Sequence, residues 1–85
     1  MPELRSKFMI AADRSKPGAV TRRWIIYSKS NSAVLGQIQW YSGWRQYVFF
    51  PAAETLFNDG CLRALVDFLA DANAEHQTEK ENERA

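Results

Sequence analysis

The sequence predicts an α+β two-layer domain. Its core is a three-stranded antiparallel β-meander packed against one C-terminal helix (βββα), with a flexible N-terminal arm and a charged C-terminal tail. Three observations carry this expectation. Residues 22–50 hold three aromatic and β-branched runs separated by turn residues. Residues 58–73 place apolar side chains at helical spacing. Both flanks are rich in charge and lack such a run. The expected organisation is a flexible basic arm over 1–20, the βββα domain over 21–73 and a charged tail over 74–85.

The arm mixes charge with Ser, Pro and Gly, and Lys16-Pro17-Gly18 is a turn signal. It has room for one short ordered stretch, at Phe8–Ala11. The first strand is expected at Trp24–Tyr27, and Ser30-Asn31-Ser32 is a turn cluster. The second runs from Val34 to Tyr41 and alternates from Gly36 onward. Ser42-Gly43 reads as a two-residue hairpin loop. The third strand, Arg45–Phe50, ends at Pro51, which has no N–H for a ladder. The helix is expected over 58–73, capped by Asn58 or Asp59. With Asn58 as cap, Phe57 and Leu62 hold the hydrophobic-staple positions. Leu62, Leu65, Val66 and Leu69 form the apolar stripe, widened by Cys61, Phe68 and Ala72. The remaining tail extends the helix by a turn or frays.

A Ser42-Gly43 loop sets Tyr41 opposite Trp44, Trp40 opposite Arg45, Gln39 opposite Gln46, Ile38 opposite Tyr47 and Gly36 opposite Phe49. One face then collects Gly36, Ile38, Trp40, Tyr47 and Phe49. With a two-residue loop at Ser30–Ser32, Ile25 and Tyr27 join it, and Gly36 makes room for the ring of Tyr27 or Phe49. The other face carries Trp24, Ile26, Leu35, Tyr41, Trp44, Val48 and Phe50 around Gln37, Gln39 and Gln46. One helix covers one face of a sheet, and an apolar patch left open on the second marks an interface. The competing expectation is that residues 1–20 fold back over it.

Composition bounds the rest. At 46% hydrophobic, 13% aromatic and 25% charged residues, the 85-residue chain is globular rather than disordered. It is one domain, short enough to need a dense core or a partner. The net charge of +1 hides an asymmetry: residues 1–50 carry eight Lys/Arg against Glu3 and Asp13, and residues 51–85 carry three against eight acids. The plainer reading of that split is a basic sheet facing an acidic helix. The one cysteine, Cys61, makes no internal disulfide, and it falls in the apolar stripe as a small core residue. With no apolar run long enough for a signal peptide or a membrane span, a reducing cytoplasm is the expected compartment. The one histidine, His76, lies in the polar tail without a group to orient it. No catalytic residue, metal ligand set or cofactor is therefore expected, and the four glycines are too scattered for a phosphate loop.

What remains is binding. The candidate surface is Trp24, Gln37, Gln39, Tyr41, Trp44 and Gln46, rimmed by Arg22, Arg23 and Lys29. A protein partner is the first reading. Direct nucleic-acid binding is the second, with aromatics stacking bases and the rim holding phosphates. A homodimer through the same face is the third. Arg45, opposite Trp40, has a simpler role in laying its guanidinium on the indole.

Residues 24–69 also carry a recurrent pattern. Leu35, Gly36, Ile38, Trp40, Tyr41, Trp44, Arg45, Tyr47, Phe49 and Pro51 are followed by Thr55, Phe57, Asn58, Cys61, Leu62, Leu65 and Phe68. This resembles a family of small, functionally unassigned proteins of bacteriophages and prophages. The resemblance covers about half of the chain and carries over no site residue. It implies a mobile-element origin, the cytoplasm of a bacterial host and a non-enzymatic role in binding, with inhibition of a host defence or nucleic-acid-handling complex as one form of it.

Overall fold

Four runs of the chain pair in sequence order and a fifth coils over one side of them. The computed structural model describes residues 2–84. β1 (Met9–Asp13), β2 (Arg23–Ser28), β3 (Val34–Tyr41) and β4 (Gln46–Pro51) form one antiparallel sheet in the order β1-β2-β3-β4, followed by α1 (Asp59–Arg84). The expected three-stranded meander is therefore corrected to a four-stranded sheet on one helix. The added strand comes from the expected arm. Its residues are short of bulk, so its pattern is faint, but Met9 inserts fully into the core and the strand pairs with β2 from Met9↔Ser28 to Asp13↔Trp24. Ahead of it, Leu4 packs against the core and Ser6 Oγ accepts the N–H groups of Phe8 and Met9.

The β2–β3 connection overturns the expected faces of β2. The two-residue loop is replaced by Lys29–Ala33, held by Ser28 N–H to Ala33 C=O at 2.8 Å and by Asn31 Oδ1 accepting from Ala33 N–H. Pairing enters as Tyr27↔Val34 and then shifts to Ile26↔Gly36, so Leu35 is the extra residue of a bulge. One extra residue inverts which side chains face the helix. Trp24 and Ile26 are buried in the core, and Ile25 and Tyr27 turn to the open side. Leu35, expected on the open face, packs partly against the core.

The β3–β4 turn is also longer than expected, yet the faces survive. Ser42–Arg45 form the turn, with Trp44 N–H donating to Tyr41 C=O at 3.2 Å and Arg45 in the left-handed region at φ 52°. Tyr41 pairs with Gln46, Trp40 with Tyr47 and Ile38 with Phe49. The register differs from the expected one by two residues, an even step that keeps Gly36 to Tyr41 and Gln46 to Phe50 on their expected faces. Arg45 consequently lies in the turn and not across from Trp40. Gly36 is packed under Phe49: a Cβ there would lie 2.5 Å from the Phe50 carbonyl oxygen and 2.6 Å from Phe49 Cζ.

α1 starts where its cap predicts, with Asn58 Oδ1 accepting from Cys61 N–H at 2.8 Å. It continues through the residues expected to form the tail. Its buried stripe is Cys61, Ala64, Leu65, Phe68 and Ala72. Leu62 and Val66, expected inside, are 51% and 63% exposed. The helix sits on the sheet through its small residues, which leave space for Trp24, edge-on to both Phe68 (5.0 Å) and Tyr47 (5.5 Å). Phe57 packs on Phe49 at 5.5 Å, and Leu62, its expected staple partner, is half-exposed. Among the described residues no helix is long and apolar enough to cross a membrane.

Candidate functional site

The sheet face turned away from α1 is the candidate site. Strand alternation puts Ile10 and Ala12 on it from β1, Arg23, Ile25 and Tyr27 from β2, Gln37, Gln39 and Tyr41 from β3, and Gln46, Val48 and Phe50 from β4. Five of the nine expected site residues are thus brought together: Arg23, Gln37, Gln39, Tyr41 and Gln46. A sixth, Trp44, stands in the turn at the end of this face, 67% exposed and edge-on to Tyr41 at 5.3 Å. Tyr41 in turn meets Phe50 at 6.4 Å, so three aromatic rings line one end of the face. Within the expected arm, Met9–Asp13 lie in the plane of the sheet as β1 and Leu4 packs against the core.

The other three residues are elsewhere. Trp24 is 5% exposed beneath the helix, because the Leu35 bulge turned β2 over. Arg22 lies on the helix side as well: its N–H donates to the Tyr47 hydroxyl at 2.9 Å, its guanidinium lies 5.5 Å from the Trp24 ring centre, and it is ion-paired with Asp13. Lys29 donates to the Ser6 carbonyl at 2.8 Å, at the far end of β2 from Arg23. The expected basic rim is therefore dispersed. Arg23 alone of it reaches the open face, where its Nε donates to Gln37 Oε1 at 2.9 Å. That bond orients one glutamine amide and leaves Gln39 and Gln46 as two-way hydrogen-bonding groups.

The carboxyl of Asp13 is held down at about 2 by the hydroxyl and the N–H of Ser15, and then by Arg22. This is a structural latch between β1 and β2, since Ser15 Oγ also accepts the Arg23 N–H at 2.9 Å.

His76 is not in a loose tail. Its ring lies 4.3 Å from that of Trp40 and 5.8 Å from that of Tyr47, and its Nδ1 is buried without a hydrogen-bond partner among the described residues. Cys61 lies on the same helix, about 22 Å away at 1.5 Å per residue, so the two do not form a nucleophile–base pair. Among the described residues no group of three or more His, Cys, Asp or Glu comes together to hold a metal ion.

Sequence reasoning missed Asn73. Its Oδ1 accepts the Tyr47 N–H at 2.6 Å and its Nδ2 donates to the Tyr47 C=O at 3.4 Å. One side-chain amide thereby takes up both outward backbone groups of β4 at that position. The available signal was an asparagine inside a helical run, where it is a poor helix former. No protein-family model, curated protein or solved structure matches the chain.

Proposed function

We propose that the chain is a binding module rather than a catalyst, and that it docks the open face of its sheet on a protein partner. The observation that carries this reading is the uncovered face itself. Ile25, Tyr27, Tyr41, Val48 and Phe50 surround Gln37, Gln39 and Gln46 on the side of the sheet turned away from α1. A folded monomer rarely leaves so much contiguous apolar surface on one side without a use for it. Amides set among rings suit a flat protein surface that is apolar but offers backbone or side-chain hydrogen bonds. The resemblance to small phage and prophage proteins supports the same reading, and a host defence or nucleic-acid-handling complex is the partner class it suggests.

The dispersed rim argues against the nucleic-acid reading. Binding by phosphate contacts needs several cations on one surface. The strand residues of this face supply one, Arg23, already bonded to Gln37.

The test is site-specific photo-crosslinking in the cells that make the protein, with the probe at Gln46 on the open face or at Asp67 on the outer side of α1. A discrete protein adduct is expected from Gln46 alone, and it should disappear with Trp44→Ala. Equal adducts from both positions would sink the face assignment. A mixed-sequence single-stranded oligonucleotide that binds with a steep salt dependence would reverse the ranking of the two partners.

A further inference from the structure

The two edges of the sheet are treated differently. On β4 the outward-facing backbone positions are Tyr47, Phe49 and Pro51. Asn73 takes both groups of Tyr47, and Pro51 has no N–H to offer. That leaves the Phe49 groups between a clamped residue and a proline, too few for a further strand to ladder on, which is one way natural sheets guard an edge against pairing. On β1 the bonds Lys29 N–H to Phe8 C=O and Arg14 N–H to Arg23 C=O show that even-numbered residues face β2. Met9, Ala11 and Asp13 therefore turn their backbone groups outward. Ser6 Oγ takes the Met9 N–H, and Arg14 Nη1 donates to the Asp13 C=O. Among the described residues nothing takes the Ala11 N–H and C=O, the Met9 C=O or the Asp13 N–H, which point away from the sheet. No proline, lysine or bulge interrupts Met9–Asp13, and a cavity of about 270 Å³ lies between Ile10, Ala11 and Asp13 on the strand and residues 2–4 of the arm, which border the edge without a backbone bond to it among the described residues.

We infer that β1 is a self-pairing edge, and that two copies of this chain join β1 to β1 antiparallel about a two-fold axis at Ala11. The register is fixed by the groups left over. With Ala11 on the axis, its N–H and C=O exchange two bonds with the second copy's Ala11. The Asp13 N–H of each copy meets the Met9 C=O of the other. The two groups already engaged, Met9 N–H and Asp13 C=O, are the ones that would otherwise have paired with each other. The smallest chiral side chain sits on the axis, where two residues must share one face.

On the open face Ile10 comes opposite the second copy's Ala12 and diagonal to its Ile10. Phe8 comes opposite the second copy's Arg14, a cation against a ring. Phe8 and Ile10 are 56% and 52% exposed in the single chain, and this pairing covers both. The result is an eight-stranded sheet whose two open faces run on into each other. So short a strand pair falls below the roughly 1,000 Å² of a firm interface, so the dimer is reversible and depends on concentration.

The experiment is light scattering coupled to size exclusion on the full chain across the micromolar to millimolar range, with Ala11→Pro beside the wild type. Proline is tolerated in an edge strand where the lost N–H faces outward. The wild-type mass is expected to climb from 9.8 kDa toward twice that value, while Ala11→Pro stays at one chain with an unchanged far-ultraviolet spectrum. Amide hydrogen exchange on the wild type covers the case of a variant that fails to fold: the Ala11 and Asp13 amides should gain protection as concentration rises. A single-chain mass at every concentration overturns the proposal and leaves the edge to a foreign extended segment. A dimer that survives Ala11→Pro but is lost on Val48→Arg overturns it in favour of pairing through the open face. The first result leaves the crosslinks from Gln46 as they are, and the second makes their adduct a second copy of this chain, so the two readings fail separately.

Discussion

Asn73→Ala tests how the helix holds the outer strand. In the native chain the Tyr47 N–H donates to Asn73 Oδ1 at 2.6 Å and the Tyr47 C=O accepts from Nδ2 at 3.4 Å, both partly buried. A net bond of this kind contributes about 1 kcal/mol, and the longer one about half that. Taking the amide away from the two Tyr47 backbone groups under the helix adds about another 0.5 kcal/mol of desolvation. Alanine is the better helix former by about 0.6 kcal/mol, which offsets part of the loss. The net cost is about 1–1.5 kcal/mol. At about 4–8 °C per kcal/mol for a domain of this size, the melting temperature falls by roughly 5–10 °C. Thermal and urea melts followed by circular dichroism measure it. Ala70→Asn, at an exposed position on the same helix, calibrates the propensity term. If Asn73→Ala melts within about 1 °C of the wild type after that correction, water serves Tyr47 as well as the amide does, and the clamp contributes nothing.

Two tryptophans, Trp24 in the core and Trp44 in the β3–β4 turn, separate fold from surface. Trp24→Ala removes a ring packed on Phe68 and Tyr47 and should cost about 3–5 kcal/mol, read as loss of the cooperative melt. Trp44→Ala should stay within about 0.5 kcal/mol of the wild type. Gly36→Ala drives a methyl against the Phe50 carbonyl and the Phe49 ring and should cost about 1–3 kcal/mol in urea unfolding. Because the Asp13 carboxyl is lowered from 3.8 to about 2, its stabilisation is complete above pH 4 and fades as pH falls from about 4 through 2. The wild type should lose stability over that window and Asp13→Asn should not, so their melting temperatures converge near pH 2. Cys61 is 7% exposed and should react with a thiol reagent only as fast as the protein unfolds.

How far the fold could be read from the sequence depended on parity more than on turn type. The β3–β4 loop was expected at two residues and spans Ser42–Arg45, yet the alternation of Gln37, Gln39 and Tyr41 against Ile38 and Trp40 left one way to bury that strand. The β2 run, Trp24-Ile25-Ile26-Tyr27, is apolar at every position, so it carries no alternation to resist the inversion at Leu35. Trp24 was misplaced for that reason. β1 was faint because Ala11, Ala12 and Asp13 add little to a strand signal, and its pairing is decided by the free edge of β2. On α1, weight by side-chain size pointed to Leu62 and Val66. The helix instead turns Ala64 and Ala72 to the sheet, since large rings on the sheet need small residues opposite. Arg22 and Lys29 read as a rim because sequence shows charge and not its partners. Asp13 lies nine residues from Arg22, and the Ser6 carbonyl that Lys29 meets leaves no trace in composition.

The bulge at Leu35 has a bearing on which length changes this chain can absorb. Extra residues anywhere within Lys29–Ala33 would lengthen a surface loop and leave Tyr27↔Val34 and everything beyond it in place. Loss of the single residue Leu35 would roll the whole β1–β2 ribbon over, presenting Arg23, Ile25 and Tyr27 to the helix and Trp24 to water. Two sites a couple of residues apart thus differ completely in tolerance: one is a splice point for an inserted tag or reporter, and the other is a frame that sets inside from outside for half of the sheet.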